Sequence, residues 1–184
     1  MLKYDLHCHS TASDGILTPT EVVLRAHEKG VNVLALTDHD TVAGVAEARQ
    51  QAESLGMRLI NGVEISTLWE NRSIHIVALG FDISHEKMTA LLAEQAKLRE
   101  IRAQEIGAKL EKIGIENAYV EAKKLAGNGE VTRAHYARHL VQIGKVSNDG
   151  QAFKRYLGQG KSAYVKPQWV DIPTTIDIIH QAGG

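Results

Sequence analysis

Three strand-like segments begin at nearly equal intervals, and this interval constrains the fold more than any other feature of the chain. The starts fall near residues 4, 31 and 58, a spacing of about 27 that is close to one strand–helix unit. Residues 4–8 read as a short strand. Thr18-Pro19-Thr20-Glu21 then announces a helix. Thr18 can accept from the first free N–H groups, Pro19 has no N–H to leave unpaired, and Glu21 completes a capping box. Val22, Val23, Ala26 and His27 follow at helical spacing, and Gly30 ends the run. Residues 31–36 are almost continuously apolar, as in a strand buried on both faces. A second helix is predicted over 41–55, a third strand over 59–65 and a fourth over 74–80. This alternation predicts an α/β fold with a parallel sheet or a barrel.

The middle of the chain changes character. Residues 84–157 read as an all-helical insertion, with Met88, Leu91, Leu92, Leu98, Ile101, Ile106 and Leu110 on one long helix or two, and shorter helices ending at Gly127, Gly144 and Gly158. The predicted layout is therefore a first barrel portion over 1–83, the insertion over 84–157, and a return to the barrel over 158–184. Ala163-Tyr164-Val165 is expected as a brief return strand and Pro173 as the start of the last helix. Outside the insertion the residues suffice for roughly three and a half strand–helix units, whereas a closed barrel needs about eight. Either the sheet is open and small, or the chain is a portion of a longer protein.

Composition narrows the function. Of 184 residues, 43% are hydrophobic, enough for a real core. The formal charge of −1 excludes a global basic field, though not a local basic cleft. Aromatics at 5% argue against a base-stacking platform, and duplex DNA is not an expected partner. No apolar run reaches the ~20 residues that span a bilayer, so no membrane partner is expected. The single cysteine, Cys8, excludes an internal disulfide and makes a cytoplasmic home the default.

Nine histidines are the unusual feature. In His7-Cys8-His9 at the first strand's end, alternation puts Asp5, His7 and His9 on one face and Cys8 on the other. Two adjacent imidazoles are a poor core choice and a good metal chelate; Cys8 reads as a small buried residue. Asp14-Gly15 adds a carboxylate. The second strand ends in Thr37-Asp38-His39-Asp40, the third at Glu64, and the fourth carries His75. Parallel α/β folds build their sites at such strand ends. Taken singly, each has an ordinary explanation: His75 as a core histidine, Glu64 as a surface charge, Asp38 and Asp40 as helix caps. Their recurrence at equivalent positions favours a metal centre of His7, His9, Asp14, His39, Glu64 and His75, because gathering that many ionisable groups without a cation is costly. Asp5, Asp38 and Asp40 are expected to orient the ligating imidazoles. Mixed imidazole and carboxylate donors suit Mn2+ best, with Fe2+ or Zn2+ next.

These motifs resemble those of the PHP (polymerase and histidinol phosphatase) family. The run Asp5-Leu6-His7-Cys8-His9-Ser10-Thr11-Ala12-Ser13-Asp14-Gly15 is especially similar to its bacterial branch acting on nucleoside 3′,5′-bisphosphates and RNA 5′ ends. The resemblance implies a distorted (β/α)7 barrel, incomplete here, with up to three metals at its mouth. One site would use His7, His9 and Glu64; Glu64 would bridge to a second with His75; Asp14 and His39 would form the third. The family completes these sites with an Ala-His-Pro histidine and a late Asp-x-His pair, which the resemblance places beyond Gly184. It implies a metal-dependent phosphoesterase with no protein nucleophile, a metal-bound hydroxide attacking phosphorus. Its substrates would be nucleotides or short RNA. Arg133 and His135, at a predicted helix start in the insertion, would hold the substrate phosphate. Arg99 and Arg102 read as a solvated helix face; His135 and His139, four apart, are a weak chelate signal. His27, His85 and His180 read as structural or exposed. The competing readings are a metal amidohydrolase and a non-catalytic metal- or phosphate-binding module. Against the amidohydrolase, no lysine stands at a strand end, whereas Glu64 can bridge.

Overall fold

A computed structural model describes residues 2–70 and 72–184. They form two compact units, one comprising residues up to Ala96 together with Trp169–Gly184, the other Lys97–Gln168. In the first unit, β1 (Tyr4–Cys8) pairs in parallel with β2 (Val33–Leu36), which pairs in parallel with β3 (Arg58–Trp69). The two crossovers carry α1 (Pro19–Glu28) and α2 (Val45–Ser54). The capping box at α1 is formed: Glu21 N–H donates to Thr18 Oγ1 at 3.2 Å, and Thr18 N–H donates to Glu21 Oε2 at 2.8 Å.

The strand–helix alternation stops at β3. β4 (Arg72–Leu79) pairs antiparallel with β3, and β3 also pairs in parallel with the short β5 (Val170–Asp171), which leads into α7 (Ile172–Gln181). The expectation of a fourth parallel strand is thus corrected. A parallel connection needs a crossover of a dozen or more residues, and only two separate β3 from β4, Glu70 among them in the left-handed region at φ 45°. The return strand expected at 163–165 is not one either; the segment that rejoins β3 is Val170–Asp171.

β2 is buried along its whole length, with Leu34 and Leu36 at 0% and 1% exposure, packed with Val23, Val45, Ala48 and Ala52 of the crossover helices. Each such leucine contributes about 2 kcal/mol through burial. Beside β2, the chain needs a glycine at 62: a Cβ there would stand 2.7 Å from Leu36 O and 2.8 Å from Thr37 Cγ2. That close approach sets β3 against the end of β2.

The loop after β1 is pinned by one buried carboxylate. Asp38, 1% exposed, accepts from Ser10 N–H at 2.7 Å, Ser10 Oγ at 2.6 Å and Ser13 Oγ at 2.6 Å. Cys8, on the opposite face from its neighbours, donates to Ala35 O at 3.3 Å. Burial, with Asp5 and Asp38 nearby, pushes its thiol up to about 12.

The second unit is helical: the later part of α3 (Glu86–Glu111), then α4 (Ala118–Ala126), α5 (Arg133–Gln142), α6 (Asp149–Ala152) and a π-helical turn at Phe153–Leu157. Its core gathers Ile106, Leu110, Tyr136, Leu140 and Leu157, and Tyr136 donates its hydroxyl to Ala103 O at 2.5 Å. Arg99 and Arg102 are not a solvated face. Arg99 is 8% exposed and pairs with Glu130 at 3.6 Å, and Arg102 Nε donates to Val165 O at 3.1 Å.

Two measurements check this account. Asp38→Ala leaves two buried hydroxyls and an N–H without their acceptor and should cost about 3 kcal/mol in urea denaturation; a loss within experimental error would mean the loop is held otherwise. The Cys8 thiol should react with a disulfide reagent at pH 8 at least about 100-fold slower in the folded protein than in urea, and equal rates would show that it is not shielded.

Candidate metal centre

The ends of β1 and β2 converge on the middle of β3, where the backbone after β2 continues to pair; Glu64 does not end its strand as expected, because β3 runs on to Trp69 in its pairing with β4. Glu64 N–H donates to Asp38 O at 3.2 Å and Asp40 N–H to Glu64 O at 3.0 Å, so His39 is bridged in parallel to Glu64. Asp40 lies in the left-handed region at φ 51°, a conformation that an Asp tolerates better than most residues. Its carboxylate accepts from Ser66 N–H at 2.7 Å and Gln95 Nε2 at 3.2 Å, and Gln95 Nε2 also donates to Ser66 O at 2.6 Å. This turn, locked onto β3, presents His39. β4 brings His75 opposite Ser66.

Glu64 is the hub. Its Oε2 lies 2.8 Å from His7 Nε2, 3.0 Å from His9 Nε2 and 3.6 Å from His39 Nδ1, while its Oε1 lies 2.8 Å from His75 Nδ1. Asp14 stands 3.9 Å from His9 Nδ1 and 3.7 Å from His39 Nε2. Three groups result, each with its donor atoms within 4.8 Å of one another: His7, His9 and Glu64; His9, Asp14 and His39; His39, Glu64 and His75. The six residues singled out from the sequence are therefore side by side, and His9 and His39, like Glu64, each belong to two groups.

The electrostatics are those of an anion held among imidazoles. Burial acts to raise the Glu64 carboxyl, but hydrogen bonds from His75, His9 and His7 outweigh it and hold the group well below the usual carboxylate range. For His9, burial acts to lower the ring, yet Glu64 and Asp14 leave it raised. Glu64 is thus ionised at neutral pH. The donor set fits divalent cations. His9 Nδ1 is buried without a hydrogen-bond partner, a costly state for a polar atom that a bound ion in the Asp14 group would relieve. Imidazoles and carboxylates in overlapping groups are also the ligand types that hard to borderline metals take.

The outer aspartates act differently from expectation. Asp38 is filled by Ser10 and Ser13, and Asp5 accepts from the His7 backbone N–H at 3.4 Å. Both position the backbone that carries the rings, rather than a ring itself. Ser10, Ser13, Ser66 and Gln95 were not legible as part of the site. The one signal was Gln95, a polar residue on the buried stripe of α3, 1% exposed.

In the second unit, Thr132 caps α5, and His135, 2% exposed, completes that cap by accepting from Thr132 N–H through Nδ1 at 3.0 Å. Arg133 at the helix start lies over the Phe153 ring, 5.4 Å from its centroid, and burial lowers its pKa. His139 is buried, His85 half-buried, and His27 and His180 are exposed. Among the described residues no helix is long and apolar enough to cross a membrane.

Known proteins resemble this chain in sequence and fold. The PHP domain family matches residues 5–143. A 5′-3′ exoribonuclease of Haemophilus influenzae is 72% identical over 182 residues, covering 99% of this chain and 66% of that protein. A 3′,5′-nucleoside bisphosphate phosphatase of Chromobacterium violaceum is 42% identical over 185 residues, covering 100% of this chain and 65% of that protein. A solved C. violaceum structure, named an amidohydrolase and holding sulfate without metal, superposes with a TM-score of 0.95 at 42% identity, covering 99% of this chain and 64% of that one. The chain thus spans about two thirds of the length of the curated relatives it matches. By its matched motifs, its fold and its strand-end cluster of imidazoles and carboxylates, this chain belongs to the PHP domain family.

Proposed function

We propose that the chain carries the metal centre of a hydrolase that cleaves phosphate esters of nucleotides, either nucleoside 3′,5′-bisphosphates or the 5′ ends of short RNA. The observation that carries this reading is the sharing of Glu64: one ionised carboxylate, both oxygens engaged, joins two of three adjacent donor groups. Divalent ions a few ångströms apart are suited to activating water and neutralising charge on a phosphoryl group. Mn2+ suits the imidazole and carboxylate donors best, with Fe2+ or Zn2+ as alternatives. The relatives' names point the same way, to RNA 5′-3′ cleavage and to bisphosphate hydrolysis. The sulfate held by the C. violaceum structure is an anion of phosphate shape. A cytoplasmic location fits a chain with one cysteine and a shielded thiol.

The chain's own residues divide the work. His7, His9 and Glu64 would hold one ion, Glu64, His39 and His75 a second, and His9, Asp14 and His39 a third. Asp38 and Asp40 fix the loops that present these side chains. Arg133, half-buried over the Phe153 ring, offers a fork of N–H donors for a phosphate oxygen pair. His135 sets the helix start from which Arg133 projects. The amidohydrolase reading, which His7-Cys8-His9 also allows, has beyond that only the name of one solved relative. Hydrolysis of a nucleoside 3′,5′-bisphosphate, with no turnover of a dihydroorotate-like amide, is the expected result; the reverse would overturn the proposal.

Two variants test the assignment of residues. Glu64→Gln should lower bound Mn2+, measured by elemental analysis, more than His75→Ala or Asp14→Asn, because it touches two donor groups and they touch one; equal losses would remove Glu64 as the shared ligand. Arg133→Ala should lower kcat/KM for the bisphosphate by about 10-fold or more with full metal content, a loss of about 1.4 kcal/mol or more. Unchanged kinetics would take Arg133 out of the site.

A further inference from the structure

The near-neutral formal charge of the chain conceals two large and opposite ones. The second unit, Lys97–Gln168, carries 14 Lys and Arg against seven Asp and Glu, a formal +7; the first unit carries seven against 15, a formal −8. Within residues 131–168 the imbalance is sharper, seven cations against Asp149 alone.

The cations of this stretch are gathered by its own hydrogen bonds. Arg155 Nη1 donates to Lys145 O at 3.0 Å, tying two exposed basic residues together, and its guanidinium lies over the Tyr156 ring at 5.3 Å. Lys154 is exposed on the same π-helical turn. Gly158 N–H closes that turn onto Phe153 O at 2.8 Å, and Lys161 N–H donates to Gly158 O at 3.0 Å, which puts a third exposed lysine at its end. Further along the same loop, Lys109 Nζ donates to Tyr164 O at 2.5 Å and Arg102 Nε to Val165 O at 3.1 Å. Burial lowers Arg102 to about 10, and the neighbouring charges of Arg133 and Arg99 act in the same direction. Glu130 offsets part of this at Arg99, and Glu105 lies close by Arg102. Exposed like charges on one unit raise the local potential that an approaching anion meets.

We propose that this basic face of the second unit binds the phosphate backbone of single-stranded RNA. The inference rests on the phosphoesterase reading only for the choice of RNA as the polyanion. Cations spread along a turn and a loop match the repeated charges of a polynucleotide. An anionic membrane is a poorer fit, since α6 has four residues and the π-helical turn five, too short for an amphipathic helix lying in a bilayer surface. The reading also agrees with the low aromatic content, because contact is made to phosphates rather than to stacked bases.

The test is binding of 5′-phosphorylated oligouridylates of two and ten nucleotides, followed by fluorescence anisotropy in chelator so that nothing is cleaved. The unsubstituted protein should bind the longer RNA at least about 10-fold more tightly, with affinity falling steeply as salt rises. The triple variant Lys145→Gln, Lys154→Gln, Lys161→Gln should lose about 10-fold or more for the longer RNA. Its log–log salt slope should shrink by about 2, near 0.7 for each cation removed. The corresponding Lys→Arg triple variant should retain binding. Affinity independent of length, a salt slope equal in both proteins, or a loss confined to phosphatidylglycerol vesicles would overturn the proposal. Hydrolysis of the bisphosphate by the unsubstituted protein with Mn2+ is scored separately. Its failure beside length-dependent binding would sink the catalytic reading alone, and the opposite pattern would sink this one alone.

Discussion

A single buried carboxylate organises the strand ends. Glu64 is 7% exposed and has four imidazoles within 3.6 Å. Left alone, a buried carboxyl becomes neutral, because burial disfavours charge. Here the rings reverse that outcome and keep it ionised. The same proximity is a liability for the rings. They cannot all be cations around one anion, nor can they all find proton donors, and His9 Nδ1 has no hydrogen-bond partner. An arrangement that is unfavourable as a hydrogen-bond network becomes favourable as a ligand set, since a divalent ion takes several lone pairs at once.

Such a centre needs its loops held more firmly than packing alone would hold them. None of the six candidate ligands lies in a helix: His7 is near the end of β1, His9, Asp14 and His39 follow β1 and β2 in their turns, and Glu64 and His75 stand inside β3 and β4. Stiffness comes from two aspartates that flank His39 in sequence. Asp38 reaches back to Ser10 and Ser13, fixing the loop that carries His9 and Asp14; Asp40 reaches forward to Ser66 and Gln95, fixing β3 where it carries Glu64. His39 therefore sits between two anchored segments. Substitution of either aspartate would act on several ligands together without touching any of them.

Much of this was legible in the sequence, for a definite reason. His7, His9 and His39 stand where β1 and β2 end, and Glu64 just past the point where β3 leaves its parallel pairing with β2, which is the level that the strand–helix period locates. α1 was legible down to its cap because Thr18, Pro19 and Glu21 act locally. The parallel pairing of β1, β2 and β3 followed from the two crossover helices. What was not legible depends on partners distant in sequence. β4 ends in an apolar run, Ile76 to Leu79, like that of a parallel strand, and only the two-residue connection shows that it must fold back. Arg99 and Arg102, three apart on a helix, have the spacing of a solvated face. Their burial is decided by Glu130 and by the Val165 carbonyl, which no local pattern announces. Asp38 and Asp40 were recognisable as important but not in their task, because an aspartate beside a histidine in sequence need not face its ring.

The charge of the chain teaches a related point. A formal −1 argues against polyanion binding only if charge is spread evenly, and composition cannot say whether it is. The first of the two boundaries between the units falls inside α3, between Ala96 and Lys97, where no glycine or proline marks it. Once both boundaries are known, the same residues divide into −8 and +7. At physiological salt the screening length is about 8 Å, so a ligand near either unit responds to that unit's own charges rather than to their sum. The unit that gathers carboxylates is the one whose chemistry calls for cations, and the unit that gathers guanidinium and ammonium groups is free of that demand. Segregation lets each unit present a field of one sign, which a uniform distribution with the same total could not do.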